Sequence, residues 1–174
     1  MKVLKYFYIL IYLFISISTA NAFLDKEGKG AQSTGREDLS FLEAKNSDFK
    51  KGKDALKQAI KYKKKNKFKK SNKKLEKSLK YFVSAYEEKP DNIELLNYLG
   101  LAYYMAEDAI MSEIYYQQAL VIDPKNNLTN QKLGELYFNT NRIDLAKDRL
   151  NVLKNCTCEE YLQLKKIITK WYYF

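Results

Sequence analysis

Apolar residues recur at intervals of three and four positions along most of the chain after residue 46. Leu96, Leu99 and Tyr103 follow this spacing, so their side chains share one face of a helix. Tyr116 and Ala119 form a matching face on the next stretch. Only six Gly and two Pro interrupt the 174 residues, which are too few turn signals for a many-stranded sheet. The pattern predicts an all-α fold of amphipathic helices.

The hydrophobic pattern repeats with a step of 34 residues. The two prolines, Pro90 and Pro124, have this separation, and "YLGLAYY" at 98–104 returns as "KLGELYF" at 132–138. Gly100 is small enough to let two helices approach closely, and Pro124 ends the second helix of its pair because it lacks an N–H. One helix pair leaves an apolar face open, so several pairs must stack to bury it. The step predicts a solenoid of antiparallel helix pairs.

The first pair departs from this step. Where its first helix should lie, the chain reads "KYKKKNKFKK" at 61–70. Helical spacing farther upstream, in "DFKKGKDALKQAIKY" at 48–62, predicts a replacement helix that pairs with Leu75, Leu79 and Phe82. The basic stretch is then either an elongated turn or a pair of extended helix ends. In total we expect about three helix pairs over residues 46–158.

These residues resemble the tetratricopeptide repeat (TPR) family. The family's pattern is Leu, Leu-Gly, Tyr, a small residue, an aromatic residue, Ala and Pro, matched here by Leu96, Leu99-Gly100, Tyr103, Ser112, Tyr116, Ala119 and Pro124. The match is strong over 93–126 and good over 127–158, where Asn130 and Cys158 depart from the usual residues. Over 59–92 only the second helix fits. The resemblance implies a non-enzymatic scaffold that binds a partner peptide or helix in a concave groove.

The first helix of each pair lines this groove in the family. By position, the resemblance assigns the groove to eight residues: Asn97, Leu101, Tyr104, Met105, Gln131, Glu135, Phe138 and Asn139. Aromatic, Met and amide groups suit an adaptable peptide surface. The alternative is that Tyr104 and Phe138 only pack between repeats. Some members clamp a carboxylate through Lys and Asn, but Leu101 stands at one clamp position here, so carboxylate capture is not expected.

The two ends of the chain are predicted to differ from the repeats. Residues 1–22 combine a positive start, the apolar run "YFYILIYLFIS" and a small-x-small ending, which is typical of a secretory signal peptide. Cleavage near Ala22 implies a periplasmic or secreted protein. An uncleaved anchor is the alternative, although a span takes about 20 apolar residues. Residues 23–45 are predicted to be a disordered leader, and the amphipathic segment 159–174 a helix that caps the repeat stack.

Lysine is concentrated in one part of the chain. The net charge is +10, and residues 45–80 hold 16 Lys against Asp48, Asp54 and Glu76. Such a block can bind anionic lipid or another polyanion, or it can simply solvate the surface. The predicted basic patch consists of Lys61, Lys63, Lys64, Lys65, Lys67, Lys69 and Lys70. Nucleic acid is not expected as a partner, because secretion would separate the protein from it.

Residue types needed for common catalytic sites are missing. The chain has no histidine, which excludes Ser-His-Asp triads, Cys-His nucleophiles and His-bearing zinc sites. The short "GKG" at 28–30 lacks the flanking strand and helix of a phosphate-binding loop. We therefore expect no enzymatic activity, no catalytic residues, no metal or other cofactor, and no small-molecule substrate.

Cys156 and Cys158 are the only two cysteines. In an oxidising compartment they can form a disulfide; the other interpretations are two free buried thiols and an exchangeable redox pair. The last of these gives a third functional hypothesis, a thiol-redox protein.

Overall fold

The computed structural model describes residues 37–170, with side-chain environments from 47 to 169. Within this range the chain forms helices and turns and no strand, so the predicted all-α class is confirmed. The predicted signal peptide lies outside the described residues. Seven α-helices follow one another: α1 (Glu37–Lys64), α2 (Phe68–Tyr86), α3 (Ile93–Met105), α4 (Ala109–Ile122), α5 (Asn127–Asn139), α6 (Ile143–Val152) and α7 (Glu159–Lys170), with a 3₁₀ turn at Leu153–Asn155 before α7.

The helices pack as successive antiparallel pairs. Helices α3 and α4 form one pair, α5 and α6 the next, and α2 packs on α3 while α4 packs on α5. Helix α1 pairs with α2: the Ser71 hydroxyl donates to the Ala59 carbonyl (2.9 Å) and the Ser78 hydroxyl to the Gly52 carbonyl (2.8 Å). The predicted helix-pair solenoid is therefore confirmed.

Helix α7 covers the end of the stack, as a capping helix should. It packs on α5 and α6, and its Leu164 and Ile168 are buried in the second of two hydrophobic clusters. A Cβ atom at Gly134 would lie 2.5 Å from a Leu164 methyl group. A larger residue at position 134 would push the cap away from α5.

A glycine-aromatic contact joins the two helices of the first and second pairs. A Cβ atom at Gly100 would lie 2.5 Å from the Tyr116 ring, and one at Gly52 would lie 2.5 Å from the Phe82 ring. Both rings are buried. Gly52 thus does for the first pair what Gly100 does for the second, and the sequence pattern did not identify it.

Each hairpin reverses at a residue with a positive φ. These residues are Asn66 (55°), Glu107 (65°) and Asn141 (60°), and asparagine tolerates this left-handed region better than most residues. Fourteen residues separate Gly52 from Asn66, whereas seven separate Gly100 from Glu107. Each helix of the first hairpin is therefore longer by seven residues, or two turns, which is about 10 Å. Of the two interpretations of the basic stretch, extended helix ends is the right one.

Helix α1 begins earlier than the predicted leader allows. The sequence predicts disorder over 23–45, but α1 already starts at Glu37. The acidic Glu37 and Asp38 are favourable at a helix N-terminus, and the Leu, Glu and Ala residues that follow are good helix formers. The leader prediction is corrected for 37–45, while residues 23–36 lie outside the described part.

Candidate peptide-binding groove

A groove of about 310 Å³ lies between α3 and α5, the first helices of the second and third pairs. Tyr98, Leu101 and Leu128 give it apolar surface, and Glu94 and Lys132 bring one charge of each sign. Successive first helices lie side by side because the second helices α4 and α6 pack behind them. The complete lining is Glu94, Asn97, Tyr98, Leu101, Leu128 and Lys132.

Asn97 connects the two helices that form the groove. Its side chain is almost buried, with 8% exposed, and its Oδ1 accepts a hydrogen bond from the Thr129 hydroxyl at 3.0 Å. Thr129 is itself buried on α5. This buried contact fixes the spacing of α3 and α5, because breaking it would leave a polar group without its partner.

The charged groups of the groove are paired within the protein. Lys53 Nζ lies 3.1 Å from Glu94 Oε1 and 4.4 Å from the centre of the Phe49 ring. Lys132 Nζ lies 3.0 Å from Glu135 Oε2. The groove therefore offers apolar surface with balanced charge.

The aromatic residues predicted for the groove have different environments. Tyr104 is 40% exposed, and its Oη accepts a hydrogen bond from Asn139 Nδ2 at 2.8 Å. Phe138 is half-buried and packs against the second hydrophobic cluster. Packing between repeats thus describes Phe138, whereas Tyr104 keeps a face in solvent.

Two other predicted groove residues lie against neighbouring helices. Gln131 is buried, and its Nε2 donates to Gln163 Oε1 on α7 at 2.6 Å and to Glu135 Oε1 at 2.9 Å. The capping helix occupies the face of α5 where another repeat would stack. Met105 lies in a separate crevice of about 300 Å³ beside α2, with Leu75 and Leu79.

Four lining residues were not identified from the sequence. Glu94, Tyr98, Leu128 and Lys132 line the groove together with Asn97 and Leu101, because residues three and four apart on one helix share a face. Extending the face of Asn97 by one turn in each direction would have found Glu94 and Leu101, and the 34-residue step would then have given Leu128.

All seven lysines of the predicted basic patch are exposed. They occupy the last turn of α1, the turn at Asn66 and the first turn of α2, so the patch lies at the tip of the long first hairpin. Phe68, at the start of α2, is 58% exposed among them.

Cys156 and Cys158 are joined by a disulfide, with their Cα atoms 5.1 Å apart. The bond closes the connection between the 3₁₀ turn and α7. Its exchange with other thiols stays a prediction.

Burial affects the ionisation of three tyrosines. It raises the pKa of Tyr116 well above the usual range, and the nearby negative charge of Glu135 acts in the same direction. Burial also raises the pKa of Tyr115 and of Tyr137. These tyrosines stay neutral at physiological pH and act as packing groups.

Comparison with known proteins supports the fold. Curated proteins give no match. Among solved structures, the one described as "First TPR of Spaghetti (RPAP3) bound to HSP90 peptide SRMEEVD" is similar over 71% of this chain and 95% of its own, with a TM-score of 0.50 and 17% identity. At this identity the likeness shows a TPR-like fold. The model of a family described as "Uncharacterized protein conserved in bacteria (DUF2225)" matches residues 38–151, more than half of the sequence. The chain therefore belongs to the DUF2225 family.

Proposed function

We propose that the chain is a non-enzymatic scaffold that binds a peptide or helix of a partner protein in the groove between α3 and α5. The observation that carries this proposal is the groove itself, with Tyr98, Leu101 and Leu128 as its apolar surface. A TPR domain of similar fold binds the HSP90 peptide SRMEEVD, which supports a peptide as the kind of partner.

The occupant is a segment with a large apolar side chain. Both lysines near the groove, Lys53 and Lys132, already pair with carboxylates, so an acidic tail gains little there. Leu101 stands where some TPR domains have a polar clamp residue. Burial of one large apolar side chain is worth roughly 1.5–3 kcal/mol, and it is not screened by salt. We therefore expect binding that changes little between low and moderate ionic strength.

Peptides selected by display on the full chain test this proposal. Leu101→Arg places a charged side chain in the groove and should weaken binding of the selected peptides at least about tenfold, which is 1.4 kcal/mol. Ile110→Arg is the matched control, because Ile110 is 74% exposed on α4 and outside the groove lining. Affinities would be measured by fluorescence anisotropy, after circular dichroism shows that both variants are folded.

Equal binding by the Leu101→Arg and Ile110→Arg variants would contradict the proposal. Strong dependence on salt would also contradict it, because the groove's charges are already paired. The expected outcome is loss with Leu101→Arg alone, and selected peptides that share one large apolar residue.

A periplasmic or secreted location is part of the proposal, and it rests on residues 1–22. Mass spectrometry of the chain recovered from cell fractions tests it. The expected product begins at Phe23 and is found outside the cytoplasm. A cytoplasmic chain that keeps its first 22 residues would overturn the location and leave the groove proposal standing.

A further inference from the structure

The first hairpin extends beyond the place where its counterpart turns back. In α3 and α4 the reversal at Glu107 comes seven residues after the packing glycine, but in α1 and α2 Asn66 comes fourteen residues after Gly52. The contact of Gly52 with Phe82 matches that of Gly100 with Tyr116. The additional two turns of each helix are thus an extension of the tip, and we call residues 57–74 the hairpin tip.

The hairpin tip carries positive charge that the protein does not neutralise. It contains ten lysines and no Asp or Glu, and nine of the ten are exposed. Within the described part of the chain, the ion pairs found involve other residues. This contrasts with Lys53 and Lys132 at the groove, each of which lies about 3 Å from a carboxylate.

An exposed aromatic ring lies at the centre of this charge. Phe68 follows the reversal at Asn66 directly, and 58% of its surface is in contact with solvent. Phe82, on the same helix, is fully buried. A solvated loop has no need of an exposed phenyl ring, whereas the boundary between lipid headgroups and acyl chains accommodates aromatic side chains between basic ones.

The shape of the tip favours a flat partner. A hairpin end is convex, so it cannot enclose an acidic peptide as a groove does. A bilayer presents many negative headgroups to several lysines at once and an apolar layer to the ring.

We propose that the hairpin tip docks on the surface of anionic membranes, with its lysines on lipid headgroups and Phe68 inserted at the interface. This role goes beyond the groove function and does not depend on it. The scaffold would hold its partner near a membrane while the groove stays available.

A fluorescence reporter at the tip tests insertion directly. The full chain would carry Trp171→Phe, to remove its only tryptophan, together with Phe68→Trp. The matched control carries Trp171→Phe with Leu162→Trp, because Leu162 is 63% exposed on α7. On phosphatidylglycerol vesicles we expect a blue shift and quenching by brominated lipid for position 68 and for that position alone. Equal responses at both positions, or none at position 68, would overturn the proposal.

The charge requirement is tested with two sets of four substitutions. The tip set changes Lys63, Lys64, Lys65 and Lys67 to Gln; the control set changes the exposed Lys89, Lys125, Lys154 and Lys166 to Gln. Because both sets remove the same charge and share all other residues, any other membrane-binding segment contributes equally. Each lysine near the surface strengthens binding roughly fivefold, so the tip set should weaken vesicle binding on the order of a hundredfold and the control set far less. Equal weakening would show attraction by net charge and overturn the proposal.

A shortened hairpin provides a second, independent variant. Deleting residues 59–65 and 67–73 leaves Asn66 seven residues after Gly52 and nine before Phe82, as Glu107 lies between Gly100 and Tyr116. Leu101→Arg should keep vesicle binding, whereas the shortened hairpin should lose it and still capture groove peptides. If heparin or an acidic polypeptide binds the tip but phosphatidylglycerol vesicles do not, the membrane proposal is wrong and the tip binds polyanions in general.

Discussion

The first and second helix pairs share a core contact and differ beyond it. In each, a glycine of the first helix lies against a buried aromatic ring of the second, Gly52 on Phe82 and Gly100 on Tyr116. The two rings are 34 residues apart, so the second helices keep the repeat. The glycines are 48 apart, because fourteen residues were added around the turn at Asn66.

The difference separates what folding requires from what the surface can vary. The glycine-aromatic contact sets the distance between helix axes, so its spacing along the second helix is retained. The turn lies outside that contact and can move outward in whole helical turns, since seven residues is close to two turns of 3.6. An insertion of this length keeps the same face of each helix toward the core.

The largest expected effect comes from removing either aromatic ring. Phe82→Ala and Tyr116→Ala should each lower the free energy of unfolding by about 3–5 kcal/mol, because both rings are fully or almost fully buried. Phe68→Ala, at the exposed tip, should change it by no more than about 0.5 kcal/mol. Urea unfolding followed by circular dichroism measures all three. A small loss for Phe82→Ala beside a large one for Tyr116→Ala would show that the two pairs are not equivalent.

A smaller effect is expected when the glycines gain a methyl group. Gly52→Ala and Gly100→Ala should each cost about 1–3 kcal/mol, since the new Cβ overlaps a ring. Alanine's better helix propensity, about 1 kcal/mol, offsets part of this cost. Gln58→Ala on the exposed side of α1 is the control and should not destabilise. If either glycine variant is more stable than the parent, the close helix contact at that pair is wrong.

Alkaline pH should distinguish the two contacts, because only the second has a phenol. The pKa of Tyr116 is raised in the folded state above the ordinary value of 10.0, so its contribution to stability is complete below pH 10 and is lost as the pH rises toward the folded-state pKa. The loss is about 1.4 kcal/mol per pH unit in that window. Tyr116→Phe should lower the slope of stability against pH above 10 by this amount. Tyr115 and Tyr137 also have raised pKa values, so part of the slope should remain. An unchanged slope would contradict the burial of the Tyr116 hydroxyl.

The smallest effects concern two ion pairs, one in each half of the stack. Arg142 Nη1 lies 2.6 Å from Glu113 Oε2, and the Tyr137 hydroxyl donates to the other oxygen of Glu113 at 3.0 Å. Arg142→Met should cost about 1–2 kcal/mol because it removes a charged hydrogen bond. Lys53→Met, at the more exposed pair with Glu94, should cost less than about 1 kcal/mol. Double-mutant cycles with Glu113→Gln and Glu94→Gln measure both, and the reverse order would contradict the network around Glu113.

The sequence predicted the core of the fold better than its surface. The 34-residue step identified the contacts of Gly100 and Tyr116 because buried packing restricts residue type. It missed Gly52, since the first helix is shifted out of register by an insertion that no proline or glycine marks. It also missed the early start of α1 at Glu37, where helix-forming residues lie in a polar segment.

The groove was found in place but only partly in composition. Asn97 and Leu101 line it, whereas Gln131 is covered by α7 through Gln163. Which face of α5 is covered depends on where the capping helix docks, and residue spacing within one repeat contains no information about that. Pairing of Lys132 with Glu135 likewise depends on side-chain positions.

The central claim is that a partner occupies the groove between α3 and α5, and site-specific photo-crosslinking in cells tests it most directly. A photoreactive phenylalanine would replace Leu101 in the groove or, as a control, Ile110 on α4. We predict a discrete adduct with a partner protein from position 101, and none of that mass from position 110. No adduct from position 101, or the same adduct from both positions, would contradict the claim.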